Sequence, residues 1–366
     1  MKVFWLFNHP APYKVNFFNL LGKHCEIHAV FERKTEGKRN PSFYSVQPEN
    51  YEQTICNSMP LGGINNWTRE PVSILKKEKF DVVVLNGWRT FTEQNAIAFC
   101  KSHKIPYIFY INGGIKAEKE AKWKKRYKER YIKGAYVYLC PDECSKEYLT
   151  YYGAEEKRIF MYPYSTIFEK EILDEPYSYE RRMKLRQKAG RDFAHLFISS
   201  GQFIARKNYE FLIELWKDLP EDYGLIITGE GPLKNNYVEL IEKLGLEDRV
   251  ILSPYLDHDE LLNTFRYCDG FVFPSKEDIY GHVVNEAMSQ GLPVVSSDKA
   301  NAAKRLIENG VNGYVAPLDK NEFEKSILAI NEQMMAKSIK TAKMNTIEKS
   351  VDFHLEFFEK MLESLK

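Results

Sequence analysis

Two acidic residues, Asp278 and Glu286, stand eight positions apart in the stretch SKEDIYGHVVNEAMSQG. The pattern predicts that Asp278 lies in a loop and that Glu286 lies in a helix that begins near Gly281 and stops at Gly291. Carboxylates at these places can accept hydrogen bonds from hydroxyls at the two ends of one ligand, and the amides of the first helical turn can bind anionic groups between them. The arrangement therefore predicts a ligand with sugar hydroxyls, phosphates and ribose hydroxyls, as in a nucleotide sugar.

A pair of cations, Arg206 and Lys207, follows the predicted strand His195–Ser199 and lies at the start of the next predicted helix. The helix macrodipole disfavours cations there by about 0.3–1 kcal/mol, so that a nearby anion would have to compensate. A bound diphosphate would do so, because its two anionic groups need positive charge and helix amides when no metal is present. Two solvated surface cations are the alternative.

A Gly-x-Gly turn, Gly229 and Gly231, follows the predicted strand Gly224–Thr228. Glycines at such a turn let a ligand approach the backbone closely. The third glycine of a dinucleotide fingerprint is missing here, and the run FNHPAPYK after the first strand lacks that fingerprint as well. A nicotinamide-dependent oxidoreductase is therefore poorly supported.

Short apolar strands alternate with helical stretches through both halves of the chain, which is typical of a parallel sheet covered by helices. The strands predicted in the first half are Lys2–Phe7, Glu26–Phe31, Asp81–Leu85, Pro106–Ile111 and Ala135–Leu139. Those predicted in the second half are His195–Ser199, Gly224–Thr228, Arg249–Leu252, Gly270–Phe273 and Pro293–Ser296. The predicted fold class is α/β, with two Rossmann-like doubly wound domains.

The domain limits follow from where this alternation stops. We predict an N-terminal domain over residues 1–165 and a C-terminal domain over 195–350. Residues 166–194 are densely charged and lack a strand pattern, which indicates a linker. Residues 351–366 carry an apolar helical face that the alternation does not require, and we expect this helix to pack back on the N-terminal domain.

The composition bounds the class of protein. The chain has 366 residues, of which 44% are hydrophobic and 28% charged, and it contains no apolar run long enough to span a bilayer. Its six cysteines are scattered without the spacing of a zinc site, so we expect a reducing, cytoplasmic location. The net charge of +1 hides an asymmetry, since residues 1–165 hold 26 Lys and Arg against 17 Asp and Glu.

Much of the positive charge lies in one predicted helix, Lys116–Lys133. Trp123, Tyr127 and Tyr131 fall four residues apart and form an aromatic stripe on this basic helix. Such a helix can lie on an anionic membrane surface, for example on the inner face of the plasma membrane. An ordinary helix that packs its aromatic stripe on the sheet is the alternative, and no recognition motif supports nucleic-acid binding.

The stretch PSKEDIYGHVVNEAMSQGLPVVSSD, followed by RLIENGVNGYVAP, resembles the signature of the retaining GT-B glycosyltransferases of family 4, the glycosyl transferases group 1. In that family the loop and helix carry two acids in a Glu-x7-Glu pattern. SGQFIARKN and GEGPL occur in the same order as in the family, and PAPYKVNFFNLL and INGG match more loosely, so the resemblance covers nearly the whole chain. It implies an N-terminal acceptor-binding domain and a C-terminal nucleotide-sugar-binding domain.

The resemblance assigns roles to the positions that match the motif. Glu286 would bind the ribose hydroxyls and Asp278 would contact the transferred sugar. Lys207 would neutralise the diphosphate, with Arg206 beside it. The other candidate donor-site residues are Tyr280, Gly281, His282 and Val283, whose backbone would hold sugar and phosphate, together with Gln202, Gly229 and Gly231.

Three positions depart from the family pattern. Asp278 is one methylene shorter than the usual glutamate, although Glu277 stands beside it. Gln202 replaces an arginine that commonly follows the strand, so that Arg206 would supply this charge instead. Asn112 replaces a histidine that lies near the donor sugar in many members, which makes Asn112 a candidate catalytic position.

The resemblance implies a retaining transfer of a hexose or N-acetylhexosamine from a nucleotide sugar, with UDP favoured. The acceptor would be a saccharide or a lipid-linked saccharide in surface polysaccharide or glycolipid biosynthesis. We expect no metal and no other cofactor, because Arg206, Lys207 and the helix amides would stabilise the leaving diphosphate. A sugar-nucleotide epimerase or hydrolase on the same scaffold, and a non-catalytic nucleotide-sugar-binding partner subunit, are the alternatives.

Overall fold

The computed structural model of the chain describes residues 1–35, 44, 46–62, 66–117 and 119–366. It divides into two compact units. Unit 1 consists of residues 1–165 and 347–366, and unit 2 consists of residues 166–346.

The described residues of unit 1 form a seven-stranded parallel sheet in the order β3-β2-β1-β6-β7-β8-β9, with β4 and β5 as a separate antiparallel pair. The strands are β1 (Lys2–Phe7), β2 (Glu26–Phe31), β3 (Glu52–Ile55), β4 (Met59–Pro60), β5 (Asn66–Trp67), β6 (Val82–Asn86), β7 (Ile108–Tyr110), β8 (Val137–Cys140) and β9 (Ile159–Met161). Strand β1 is buried from Val3 to Phe7, because a central parallel strand is covered on both faces.

Helices connect the strands of unit 1, because neighbouring parallel strands need long crossover connections. Before residue 165 they are α1 (Pro12–Leu21), α2 (Glu70–Lys77), α3 (Phe91–Ser102), α4 (Lys122–Ile132) and α5 (Glu143–Tyr151). Thr90 and Glu93 form a capping box that fixes the start of α3. Helix α4 is shorter than the predicted Lys116–Lys133, and none of the described residues from 116 to 121 is helical.

All residues of unit 2 are described, and they form a six-stranded parallel sheet in the order β12-β11-β10-β13-β14-β15. Its strands are β10 (His195–Ser200), β11 (Tyr223–Thr228), β12 (Val250–Ser253), β13 (Gly270–Phe273), β14 (Val294–Ser297) and β15 (Gly313–Ala316). Its helices are α6 (Tyr179–Lys188), α7 (Tyr209–Trp216), α8 (Lys234–Leu244), α9 (His258–Phe265), α10 (Val283–Ser289), α11 (Asn301–Leu306), α12 (Lys320–Leu328) and α13 (Glu332–Lys343). Two parallel sheets with connecting helices confirm the predicted α/β class with two Rossmann-like domains.

Helix α6 corrects the interpretation of residues 166–194 as a linker, because it belongs to unit 2. Arg182 and Arg186 of α6 are buried and both contact Asp269, at 3.1 and 2.6 Å. Arg186 also donates to the backbone carbonyls of Tyr267, Phe193 and Ala194. The dense charge of this stretch therefore includes buried, paired arginines as well as solvated residues.

The last helix, α14 (Ile347–Ser364), returns to unit 1 and packs against α1. His354 lies against Phe17 and Trp5, with ring centroids 5.0 and 5.6 Å apart, and Phe358 also contacts Trp5. No helix in the described part of the chain is both long and apolar enough to cross a membrane.

Candidate functional site

The two central strands of unit 2, β10 and β13, are hydrogen-bonded neighbours although two strands, β11 and β12, and three helices, α7 to α9, lie between them in the sequence. The chain runs outward through β11 and β12 on one side of β10 and through β14 and β15 on the other side of β13. This reversal is the place where open parallel sheets bind ligands, beyond the carboxyl ends of the strands. Arg206 and Lys207 follow β10, and Asp278 follows β13, so the topology brings these predicted residues to one point.

Backbone hydrogen bonds join the two segments that carry these side chains. The Ser275 hydroxyl and the Lys276 amide both donate to the carbonyl of Arg206, at 3.1 and 2.7 Å. Farther along the loop, the amide of Asp278 donates to the carbonyl of Lys299 at 3.0 Å. The loop between β13 and α10 is therefore fixed just before Asp278 and at Asp278 itself.

Lys207, Arg206 and Asp278 form an ion-pair cluster. The Nζ of Lys207 is 2.7 Å from Oδ2 of Asp278, and Nη1 of Arg206 is 3.3 Å from the same oxygen. Lys207 is only 9% exposed, and its Nζ also lies 4.5 Å from the ring centroid of Phe273, whereas Arg206 is exposed. Lys207 is thus a buried, oriented cation, which removes the alternative of two solvated surface cations for this residue.

Burial and ion pairing act on the titration of this cluster in opposite directions. Burial would raise the pKa of Asp278, but the charges of Lys207 and Arg206 outweigh burial and hold that pKa below its usual value. Burial lowers the pKa of Lys207, while the carboxylate of Asp278 opposes this change. The contact of 2.7 Å therefore favours the charged form of both groups.

The four predicted backbone-binding residues, Tyr280 to Val283, form one turn that leads into α10. Gly281 has a φ of +95°, a conformation that side chains disfavour, and a Cβ there would stand 3.1 Å from the Phe273 ring. The amide of Tyr280 donates to Oδ1 of Asp278 at 3.3 Å, and the Tyr280 ring packs on His282 with centroids 5.0 Å apart. Helix α10 begins at Val283, so the amides of Gly281, His282 and Val283 lie at its start, where a helix can bind an anion.

Glu286 is the fourth of the seven residues of α10, and its carboxylate accepts a hydrogen bond from the Thr166 hydroxyl at 2.7 Å. Burial raises the pKa of Glu286 and the charge of Glu171 adds to this, while Thr166 and His258 act against it. His258 in turn has its Nε2 3.0 Å from Oε1 of Glu171, and this contact raises the pKa of His258. Glu286 is therefore a desolvated acceptor that already binds one hydroxyl.

Sequence reasoning missed Thr166, Glu171 and His258 as neighbours of Glu286. Thr166 and Glu171 lie in the stretch interpreted as a linker, and no local pattern marks either of them. His258 follows Asp257, which forms a capping box with Glu260 at the start of α9. Only the folded unit shows that this helix start faces Glu171.

The predicted glycines of the β11–α8 turn have a packing reason of their own. A Cβ on Gly229 would stand 1.9 Å from the carbonyl oxygen of Gly201, and one on Gly231 would stand 2.5 Å from that of Phe203. The turns after β10 and β11 therefore lie against each other, backbone to backbone. Gln202 is exposed on the first of these turns. A ligand contact from these three predicted residues stays a prediction.

Asn112 lies in unit 1, directly beyond β7, while the other predicted site residues lie in unit 2. Its Nδ2 donates to Oδ1 of Asn86 at 3.3 Å. The Tyr162 hydroxyl lies 2.9 Å from the Ile111 carbonyl and 3.5 Å from Oδ1 of Asn112. Asn112 is thus positioned at the carboxyl edge of the unit 1 sheet, and its catalytic role stays a prediction.

Metal-type donors do not gather in unit 2, where the described residues include no group of three histidine, cysteine or carboxylate donors within ligating distance of one another. Charge on a ligand there would be met by Lys207, Arg206 and backbone amides. The cluster can orient a polyanion and several hydroxyls, and the absence of a metal from the reaction stays a prediction.

Residues 182–345 match the model of a protein family described as glycosyl transferases group 1. The chain is 28% identical over 200 residues to alpha-D-kanosaminyltransferase of Streptomyces kanamyceticus, a match that covers 54% of this chain and 50% of that protein. It is 30% identical over 161 residues to N-acetylgalactosamine-N,N'-diacetylbacillosaminyl-diphospho-undecaprenol 4-alpha-N-acetylgalactosaminyltransferase of Campylobacter jejuni, which covers 42% of this chain and 40% of that protein. The matched stretches thus span half or less of these two relatives.

A solved structure resembles the chain over nearly its whole length. The crystal structure of Anabaena Alr3699/HepE in complex with UDP and glucose has a TM-score of 0.72 and 17% identity, and the likeness covers 98% of this chain and 100% of that one. This likeness confirms the predicted GT-B fold.

Proposed function

Residues 182–345 belong to the glycosyl transferases group 1, and from this premise we propose that the chain transfers a hexose or N-acetylhexosamine from a nucleotide sugar with retention of the anomeric configuration. The acceptor in this proposal is a saccharide or a lipid-linked saccharide of surface polysaccharide or glycolipid biosynthesis. The observation that carries the proposal is the buried ion pair of Lys207 and Asp278 next to the Gly281 turn.

Each part of the unit 2 site would meet one part of the donor. Glu286 would accept hydrogen bonds from the ribose hydroxyls in place of the one it now accepts from Thr166. The diphosphate would lie against the Gly281 turn with Lys207 and Arg206 beside it, because both cations are already held there by Asp278. Asp278 would then accept hydrogen bonds from the transferred sugar. Gln202, Gly229 and Gly231 complete the proposed donor site.

The chemical step requires a good leaving group more than a nucleophilic side chain. The acceptor oxygen forms a bond to the anomeric carbon while the bond from that carbon to the phosphate oxygen breaks, and the electron pair leaves with the diphosphate. The proton of the acceptor hydroxyl passes to the departing phosphate oxygen. Lys207 and Arg206 stabilise the charge that develops on that oxygen, which is where fixed electrostatic groups accelerate a reaction most.

UDP is the proposed nucleotide, and the support for it is the likeness to the HepE structure, which contains UDP and glucose. A lipid-linked acceptor is supported by the Campylobacter jejuni relative, whose name specifies a diphospho-undecaprenol substrate. The likeness to HepE is one of fold, and the Campylobacter jejuni relative matches 42% of this chain. Both assignments are therefore made as proposals for this protein.

Helix α4 supports a proposed location at the inner, anionic face of the plasma membrane. Trp123 of this helix is 68% exposed and stands among lysines, which suits insertion at a lipid headgroup layer. Tyr127 instead donates from its hydroxyl to Gln94 at 3.0 Å, and Tyr131 packs partly on the core of unit 1. One end of the aromatic stripe therefore anchors the helix, and the other end is presented to solvent.

A donor and acceptor screen tests the proposal. The chain is first screened by thermal shift with UDP-, GDP- and dTDP-sugars, and the best donor is then radiolabelled and incubated with extracted lipid-linked and free saccharide acceptors. A product whose anomeric configuration matches the donor supports the proposal. Free sugar or an epimer would support the hydrolase or epimerase alternative, and binding without turnover would support a non-catalytic partner subunit.

A further inference from the structure

A buried histidine of unit 1 faces two carboxylates. His28 of β2 is 3% exposed, and among the described residues its Nδ1 has no hydrogen-bond partner. Oε2 of Glu52 lies 3.6 Å from this nitrogen and Oε1 of Glu78 lies 3.9 Å from it. The three donor atoms lie within 4.8 Å of one another. A buried nitrogen without a partner requires an explanation, because its desolvation is otherwise uncompensated.

The strand register builds this cluster. His28 of β2 stands opposite Glu52 of β3, and Thr54, two residues after Glu52, lies on the same face of the sheet. Nε2 of His28 and Oγ1 of Thr54 are 2.8 Å apart, which fixes the orientation of the imidazole ring. When Nε2–H donates to Thr54, the lone pair of Nδ1 points at the two carboxylates.

Negative charge at this place lacks a full counter-charge. Glu78 directly follows the C-terminal end of α2, where the helix macrodipole disfavours an acid. Lys2 compensates in part, since its Nζ lies 2.9 Å from the second oxygen of Glu78, Oε2. One lysine faces two carboxylates and a nitrogen lone pair, so a further cation between the three donor atoms would be stabilised.

We propose that His28, Glu52 and Glu78 bind a divalent first-row metal ion, with Zn²⁺ as the best fit to one imidazole and two carboxylates. Tetrahedral ligands at about 2.0–2.1 Å from zinc are about 3.4 Å apart. The two carboxylate oxygens lie 3.6 and 3.9 Å from Nδ1 of His28, and all three atoms lie within 4.8 Å of one another, so the carboxylates must move towards each other and towards the imidazole when the ion binds. The side chain of Glu52 is 63% exposed and that of Glu78 is 35% exposed, which leaves both free to adjust. A solvent-open cavity of about 700 Å³, lined by His28 and Glu52, supplies a route for the ion and water for the fourth position.

The role of such an ion is structural. It would join the edge strand β3 and the end of α2 to β2, all of which belong to unit 1. The proposed donor-binding residues Lys207, Asp278 and Glu286 belong to unit 2. The metal proposal therefore does not depend on the proposed transfer reaction, and its test needs no activity measurement.

Metal titration of the full chain after chelator treatment tests the proposal. We expect one equivalent of Co²⁺ to give the absorption bands of a nitrogen- and oxygen-ligated site, and Zn²⁺ to displace it in competition with a chromophoric chelator. Glu52→Gln, a substitution of an exposed side chain, should lower the affinity at least tenfold. Glu26→Gln is the matched control, because Glu26 lines the same cavity but is not one of the three donors, and it should bind as the wild type does.

The hydroxyl of Thr54 gives a second, independent measurement. Thr54→Val should lower metal affinity by about 10- to 100-fold, because it removes the hydrogen bond that orients His28, and Thr54→Ser should restore it. Absence of a saturable site in the wild type would overturn the proposal. Equal affinities in Glu52→Gln and Glu26→Gln would overturn it as well, since binding would then be non-specific attraction to the cavity.

Discussion

Glu286→Gln should weaken nucleotide binding and at the same time stabilise the unliganded protein. The substitution keeps the size of the side chain and an oxygen that can accept from Thr166, while it removes the negative charge. The two effects have opposite signs because the same desolvated charge is unfavourable in the empty site and favourable to a bound ribose.

The loss of affinity can be worked out from the hydrogen bonds of Glu286. A hydrogen bond to a charged group contributes about 1.5–3 kcal/mol, and one between neutral groups about 0.5–1.5 kcal/mol. Two ribose hydroxyls would replace the single Thr166 hydroxyl, a net gain of one charged hydrogen bond in the wild type. In Glu286→Gln, the amide oxygen exchanges a neutral hydrogen bond from Thr166 for a neutral hydrogen bond from the ribose, with no net gain. The expected loss is therefore about 1.5–3 kcal/mol, or roughly 10- to 150-fold in Kd.

The gain in stability follows from the direction of the pKa shift. Burial raises the pKa of Glu286 above its value of 4.5 in the unfolded chain. When the pKa of an acid is higher in the folded state than in the unfolded chain, the acid contributes to the free energy of unfolding in full at pH values below its unfolded-state pKa. This stabilising contribution is lost as the pH rises through the folded-state pKa. At pH 7.5 Glu286→Gln should accordingly unfold at a higher denaturant concentration than the wild type, and the difference should shrink as the pH falls towards 4.

Calorimetric titration with the nucleotide that binds best, together with urea unfolding, measures both effects. Glu93→Gln is the matched control, because Glu93 is a buried carboxyl of unit 1 with a pKa raised to about 7. It should leave nucleotide affinity within about twofold of the wild type. Unchanged affinity in Glu286→Gln would refute the assignment of Glu286 to the ribose. A loss of affinity accompanied by a loss of stability would refute the argument from desolvation.

Three further expectations concern the ion pair, a buried acid and the basic helix. In steady-state kinetics, Asp278→Asn should lower kcat by about 100-fold with a smaller change in KM, because it removes the charged partner that orients Lys207. Glu277→Gln should leave both constants nearly unchanged. A larger effect of Glu277→Gln than of Asp278→Asn would assign the role of the first acid of the pair to Glu277. The stability of the wild type should fall as the pH rises from 4.5 to about 7 because of Glu93, by up to about 3 kcal/mol. Urea unfolding at pH 5 and pH 8 should show that Glu93→Gln lacks this part of the pH dependence, and an equal fall in stability of variant and wild type would contradict the argument. Glutamine in place of the basic residues of α4 should weaken binding to anionic vesicles by about 1 kcal/mol per residue replaced, and binding to zwitterionic vesicles should not change. The residues to replace are Lys122, Lys124, Lys125 and Arg126. Vesicle sedimentation measures this binding, and equal sedimentation of variant and wild type with anionic vesicles would count against membrane binding.

Local sequence patterns were sufficient to predict those elements whose own residues determine which side chains are buried. Strands β1 and β2 have the predicted bounds, because KVFWLF and EIHAVF are largely apolar runs between polar segments. The pair Asp278 and Glu286 could be placed for a similar reason, since a strand, a loop and a helix follow one another directly around them. The carboxyl-edge rule then brings Arg206 and Lys207 to the same place without knowledge of any long-range contact.

Features that depend on distant partners could not be predicted. Strand β3, with the sequence EQTI, is a polar edge strand, and only its pairing with β2 identifies it. Arg182 is buried because Asp269 meets it 87 residues later, which no local charge pattern reveals. The contact between Thr166 and Glu286 spans 120 residues in the same way.

Helix α14 has a consequence for synthesis of the chain. It covers Trp5 and Phe17 of unit 1, yet it is translated only after the 181 residues from 166 to 346. At about 5–20 residues per second, the ribosome needs roughly 10–40 s to make that insertion. Throughout this interval the nascent first unit exposes an aromatic surface that α14 covers in the folded chain. The second unit, although begun later, can therefore finish folding first.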